Sequence, residues 1–265
     1  MPSIAITGAN RGIGFEFVRQ LSEKPDNTII ALVRNPDAAQ SLRDLQRSNI
    51  HIVKADISDH ATVKAAAAET AKISSGSLDL LINNAAWLPN ERHALSLDKY
   101  PSDEILSEDL VEAFNVNVVG VVHTINAFLP LIKKSAIKKV VVISTGVGDT
   151  DLTLRTEYAT SGPYCVSKAA VNMVVAKYAA ECKPEGGPIF LALSPGLVNT
   201  QTAPPTPKQL EEFAAMVASF KKYNPNWERP LTPKESVDAM LAVIHNLKPE
   251  QSGSFLSHKG NQDWL

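Results

Sequence analysis

A chain of 265 residues, 44% of them hydrophobic, can bury one sizeable core, and its formal net charge of -2 offers no broad basic surface to nucleic acid or an anionic membrane. Its two cysteines, Cys165 and Cys182, have neither metal-ligand spacing nor a disulfide framework, so a reducing, cytoplasmic setting is expected. The opening "MPSIAITGAN" lacks the basic-then-apolar order of a signal peptide. The most apolar stretch, "VNVVGVVHTINAFLPLI", is interrupted by Asn117, His123 and Asn126 and reads as too short to span a bilayer.

From the first residues, β-branched apolar runs alternate with helical patterns. "SIAIT" reads as a strand, "GFEFVRQLSEK" as a helix and "TIIALV" as a strand. A helical "AAQSLRDLQR" leads to the strand "IHIVKAD", then the helix "HATVKAAAAETAKI" and the strand "LDLLINNA". A long helical stretch, "DLVEAFNVNVVGVVHTINAFLPLIKKS", precedes the strand "KKVVVIST". The helix of "YCVSKAAVNMVVAKYAAEC" is followed by the strand "PIFLALSPG". Near-continuous hydrophobic strands separated by helices predict a parallel sheet covered on both faces, an α/β doubly wound Rossmann-type domain over residues 1–265. Prolines and polar residues around a short amphipathic helix mark residues 200–233 as a substrate-lid insertion within that domain.

Between the first strand and the first helix, "TGANRGIG" places Gly8, Gly12 and Gly14. Glycines there permit a tight turn and close approach of backbone to a pyrophosphate at a helix N-terminus, and the strand–loop–helix context is the one this motif requires. NAD-binding folds carry an acidic residue after the second strand to hold the ribose 2′-hydroxyl. This chain has Arg34 at that point, with Arg11 inside the loop, and Asp37 three residues on is the only nearby objection. Guanidinium groups grip a 2′-phosphate that a carboxylate would repel, so the cofactor expected is NADP(H).

The ordered motifs resemble the short-chain dehydrogenases/reductases along the whole chain. "TGANRGIG" matches the family's cofactor loop, and "NNAA" its Asn-Asn-Ala-Gly segment, with Ala86 replacing glycine. Asp56 in "KADIS", Asn117 in "FNVNVVG", the strand end "VVISTGVG", "YCVSK" and "SPGLVNT" fall on its later motifs in order. Arg34, the ending "SHKGNQDW" and the long gap before Tyr164 look most like the C-factor and sniffer-type carbonyl reductases. The resemblance implies cofactor contacts from Gly8, Asn10, Arg11, Gly12, Ile13 and Gly14, from Arg34, and from Asp56 and Ile57. It also implies contacts from Asn84, Ala85 and Ala86, from Tyr164 and Lys168, and from Pro195, Gly196, Val198 and Thr200. A homodimer or homotetramer built on residues 105–133 and 164–182 is implied as well, and no metal is.

Tyr164 and Lys168 lie four apart and share one face of a helix. Reducing a carbonyl by hydride leaves an alkoxide that needs a proton donor, and a tyrosine beside a cation suits the task, because the cation favours the phenolate needed in reverse. By resemblance, Lys168 also holds the nicotinamide ribose, and Asn117 helps carry a proton-relaying water. The serine that holds the substrate carbonyl in the family falls on Ser144-Thr145 here. Both hydroxyls can donate, and period-2 alternation puts them on opposite faces. His93, His123, Asp79 and Asp98 form no ligand cluster, and Trp87, Tyr223 and Trp227 are expected to border the pocket. The substrate expected is a small carbonyl or alcohol, turned over by an NADP-dependent oxidoreductase. A non-redox isomerase or cyclase, or a cofactor sensor, is the alternative on the same fold.

Overall fold

The computed structural model describes residues 2–89, 91–183, 186–201 and 203–265. Thr202, within the expected lid, lies outside them. In chain order the elements are β1 (Ser3–Thr7), α1 (Gly12–Leu21), β2 (Thr28–Val33), α2 (Gln40–Arg43), β3 (Ile50–Lys54), α3 (His60–Ile73), β4 (Leu80–Asn83) and α4 (Asp103–Phe114). There follow α5 (Gly120–Ile132), β5 (Lys139–Ile143), α6 (Thr150–Thr156), α7 (Gly162–Glu181), β6 (Ile189–Ser194), α8 (Pro207–Tyr223), α9 (Pro233–Asn246) and β7 (Ser254–Ser257).

The strands form one seven-stranded sheet in the order β3-β2-β1-β4-β5-β6-β7, every pair parallel. Alternating strand residues feed two cores, which is why the strands read as unbroken apolar runs. Ile30, Leu81, Val140 and Phe190 pack with α3, α5 and α7, whereas Ile29, Ile82, Val141 and Leu191 pack with α1 and α9. Strand order reverses between β1 and β4, and a crevice at such a switch point is where this architecture binds ligands.

The apolar stretch read as too short for a bilayer belongs to a continuous helix, Asp103–Ile132, whose 30 residues are long and apolar enough to cross one. Capping by Ser102 starts this helix earlier than periodicity suggested, and half of its most apolar window is buried in the protein, with Ile125, Phe128 and Ile132 in the core. Three elements were absent from the sequence reading: α6, α9 and β7. In the 200–233 segment, α8 runs 17 residues and buries only Phe220, which packs against Tyr158 at 5.3 Å.

Candidate active site

The C-terminal ends of β1, β4, β5 and β6 deliver the candidate residues to one side of the sheet. Gly8 and Gly12 have φ of +64° and +56°, in the region that favours glycine. A Cβ at Gly8 would lie 2.9 Å from the Ala85 Cα, so the glycine loop and the "NNAA" segment touch backbone to backbone. Asn84 locks them together, its Nδ2 donating to the carbonyls of Thr7 at 3.0 Å and Gly8 at 3.2 Å. Helix α1 then opens at Gly12 with no side chain capping its first amides, and Phe15 donates back to the Arg11 carbonyl. Uncapped amides at a glycine turn fit a pyrophosphate.

Arg11 and Arg34 are both exposed and make no hydrogen bond or ion pair among the described residues, which leaves two guanidinium groups free beside the loop. Asp56 holds the Ser58 amide and hydroxyl at 3.0 and 2.6 Å through one oxygen. Ile57 packs its carbonyl against Gly120, where a Cβ would come within 2.9 Å. Ala86 is exposed and outside the positive-φ residues, so its backbone does not require glycine. Gly196 has φ +77°, and the Pro195 carbonyl accepts from the Ser236 hydroxyl at 2.7 Å. Val198 bridges to Leu231, and Thr200 faces Gly12 across the cleft, its side chain 3.5 Å from where a Cβ would stand. Asn10 accepts from Ser41 through its carbonyl, and Ile13 packs on the core formed with α1.

Tyr164 and Lys168 are one turn apart on α7, with the ammonium 5.7 Å from the phenol ring centroid. Lys168 is buried and donates to the Ile143 carbonyl at 2.7 Å. Burial holds its pKa down at about 8. A cation beside a phenol is expected to lower its pKa. In the protein alone, burial first, and then Cys165 and Tyr158, push it above the ordinary tyrosine value. The phenol is therefore held in its proton-bearing form, the one that reduction uses.

Ser144 and Thr145 separate as alternation predicts. Ser144 is buried and donates to the Asn172 side chain at 2.6 Å, whereas Thr145 is half-buried and its hydroxyl has no hydrogen bond among the described residues. Asn117 is wholly buried in a π-helical turn, Asn115–Val119. It accepts from the Trp87 amide at 2.7 Å and donates to the Trp87 carbonyl and the Ser167 hydroxyl, both at 2.9 Å. Asn117 thus ties the β4 loop to α7, and Ser167, inside "YCVSK", is a partner that the sequence reading passed over.

A cavity of about 750 Å³ lies between α8 and the body, walled by Tyr158–Thr160 and by Leu197–Gln201 after the Pro195-Gly196 turn. Tyr164 stands behind Thr160 in sequence but is not itself part of the wall. Trp87, Tyr223 and Trp227 do not line it either: Tyr223 is covered by Arg155 at 4.4 Å, and Trp87 borders a separate groove along α4. The wall instead carries His93, assigned from sequence to a surface or core role, which faces Glu212 of α8 at 3.8 Å. No metal-ligand cluster of His, Cys, Asp and Glu occurs among the described residues.

The profile of the family described as short chain dehydrogenase matches residues 2–211. The chain is 42% identical to the "Short chain dehydrogenase virK" of Hypocrea virens over 278 aligned positions, covering 100% of both. Among solved structures, an NADPH-bound carbonyl reductase from chicken fatty liver matches with TM-score 0.79 and 31% identity over 98% of each chain. The carbonyl reductase Sniffer of D. melanogaster shares the fold at the same TM-score and coverage with 23% identity. A family model over residues 2–211 and a relative 42% identical over the full length show that the chain belongs to the short-chain dehydrogenase/reductase family of oxidoreductases.

Proposed function

We propose that the protein is an NADPH-dependent carbonyl reductase, with the reverse alcohol oxidation available at the same site. The observation that carries this reading is the pair of uncommitted hydroxyls on Tyr164 and Thr145. Neither makes a hydrogen bond among the described residues, and each sits beside a residue whose polar group is already bound: Lys168 to Ile143, and Ser144 to Asn172. NADPH would supply the hydride, held by the glycine turn and α1, by Arg11 and Arg34 at its 2′-phosphate, and by the Pro195-Gly196 turn at its nicotinamide. Thr145 donates to the substrate oxygen, and Tyr164 passes its proton to the same oxygen as charge develops there. Lys168 restores the proton-bearing balance of the pair, and Asn117 fixes the turn that faces it. The 200–233 segment acts as a lid. The NADPH named in the chicken enzyme's description supports this choice of cofactor.

Tyr164→Phe tests the reading. NADPH binding, followed by nicotinamide fluorescence, should persist, while turnover on ketones, aldehydes or quinones falls by roughly 10²–10⁴-fold, the usual cost of losing a general acid. Near-normal rates in Tyr164→Phe would discard the hydride–proton scheme and leave the non-redox reading to be tested.

A further inference from the structure

Helix α8 is 17 residues long, yet Phe220 near its C-terminal end is its sole buried residue among those described. Its N-terminal half carries Leu210 and Phe213, 54% and 39% exposed, both on the cavity side together with Met216. Large apolar side chains three residues apart on one helical face ordinarily pack against a partner. Here that face looks into a partly open cleft of about 750 Å³ that the apolar pair Leu197 and Val198 also lines. This volume falls in the upper part of the roughly 300–1,000 Å³ range of sites for drug-sized ligands.

The charges on the wall narrow the ligand further. Among the described lining residues the titratable groups are His93, Glu157, Tyr158 and Glu212, with no lysine or arginine. Both carboxylates have partners at the rim: Glu157 pairs with Lys222, and Glu212 with Lys208 at 3.7 Å and His93 at 3.8 Å. The remaining polar side chains, Asn199, Gln201, Gln209, Thr160, Thr200 and Ser219, are neutral. A carboxylate or phosphate entering this space would find no unpaired cation to offset its lost hydration.

We propose that the cavity under α8 receives a bulky, uncharged, ring-bearing carbonyl compound, and that small ketones and acidic or phosphorylated compounds are poor ligands. The reductase reading is needed only for what happens to the carbonyl, since the walls alone select size and charge. The apolar rings rest on Leu210, Phe213 and Met216, and the molecule lies along the segment that follows the nicotinamide-framing turn.

Calorimetry with NADPH-loaded protein tests the assignment, using 9-fluorenone, its 2-carboxylate, carbonyl-free fluorene and cyclohexanone. Fluorenone and fluorene should bind at least about tenfold tighter than the carboxylate and cyclohexanone, a margin typical of apolar pockets. Ala215 lines the cavity from the exposed surface of α8, so changes there spare the core. Ala215→Trp should weaken fluorenone about tenfold by filling the space, and Ala215→Lys should recover the carboxylate by supplying the missing cation. Equal affinities across the four compounds, or an Ala215→Trp protein that binds fluorenone as before, would overturn the proposal. Fluorene binding without reduction of any ketone would sink the reductase reading and leave this one standing. Turnover of cyclohexanone with no preference for the larger rings would do the opposite.

Discussion

Ser144 and Thr145 are chemically alike and adjacent, yet the strand end gives them different tasks. Ser144 spends its hydroxyl on Asn172, two turns along α7 from Tyr164, so strand and helix are pinned beside the site. Ser144→Ala should therefore cost about 1 kcal/mol of stability, the usual worth of one hydrogen bond, with turnover close to native. Thr145→Val removes the free hydroxyl and should lower turnover by roughly 10²–10³-fold, as losing one donor to a developing oxyanion does. Comparing melting temperature and kcat in both variants decides the matter, and the reverse pattern would make Ser144 the substrate ligand. Lys168 gives a pH signature at the same scale. Its pKa in the folded protein, about 8, lies below the unfolded lysine value of about 10.4, so the unfolded chain binds more protons between those limits. Stability from this group is absent at neutral pH and returns as pH rises from about 8 toward 10. The burial cost below that window is on the order of 3 kcal/mol. Lys168→Met should accordingly raise the melting temperature of cofactor-free protein at pH 7, even after losing the hydrogen bond to Ile143, and the gain should shrink by pH 9.5. A gain independent of pH would show that the ammonium is not paying for burial.

Elements were legible where one physical signal dominated. Strands β1 and β2 and helix α3 match their sequence patterns because β-branched runs and alanine-rich helical spacing leave little choice. Helix α6, "TDLTLRT", is seven residues long, started by an Asp149 cap, and too short for periodicity to declare. Strand β7, "SFLS", has two apolar residues and joins the sheet only through its pairing with β6. Helix α9 did announce itself, by Pro233 at its first turn and a Thr232–Glu235 capping box, a signal the sequence reading passed over. The turn at Gly8 and Gly12 was legible because its positive φ demands glycine. The cavity wall was not, since only the tertiary fold brings α8 to face Tyr158 and Leu197 around one cleft. Arg34, at the turn after β2, belongs to this scale because the strand places it and, among the described residues, no side-chain partner holds it. Arg34→Asp should weaken NADPH and improve NADH, exchanging a phosphate clamp for a ribose acceptor. Unchanged relative affinities by calorimetry would remove Arg34 from the cofactor site.

At the scale of the whole molecule, the outer faces of α4 and α7 present an apolar surface away from the cleft. Val111 and Phe114 on α4 are 58% and 46% exposed, and Val166 and Met173 on α7 are 52% and 60% exposed. The opposite faces of both helices serve the site, α7 through Tyr164 and Lys168 and α4 through the turn that holds Asn117. Covering the outer face would brace the catalytic helix from behind, which links assembly to activity. We therefore expect a homodimer, or a homotetramer containing it, that packs these two helices against a second copy. Light scattering at micromolar concentration should give at least twice the chain mass, and Met173→Glu with Val166→Glu should return monomers, because like charges buried in an apolar contact remain unpaired. These side chains are exposed in the single chain, so the double variant should still fold as a monomer, with a lower melting temperature from the lost association. A native protein that stays monomeric would refute the expectation, whatever its activity.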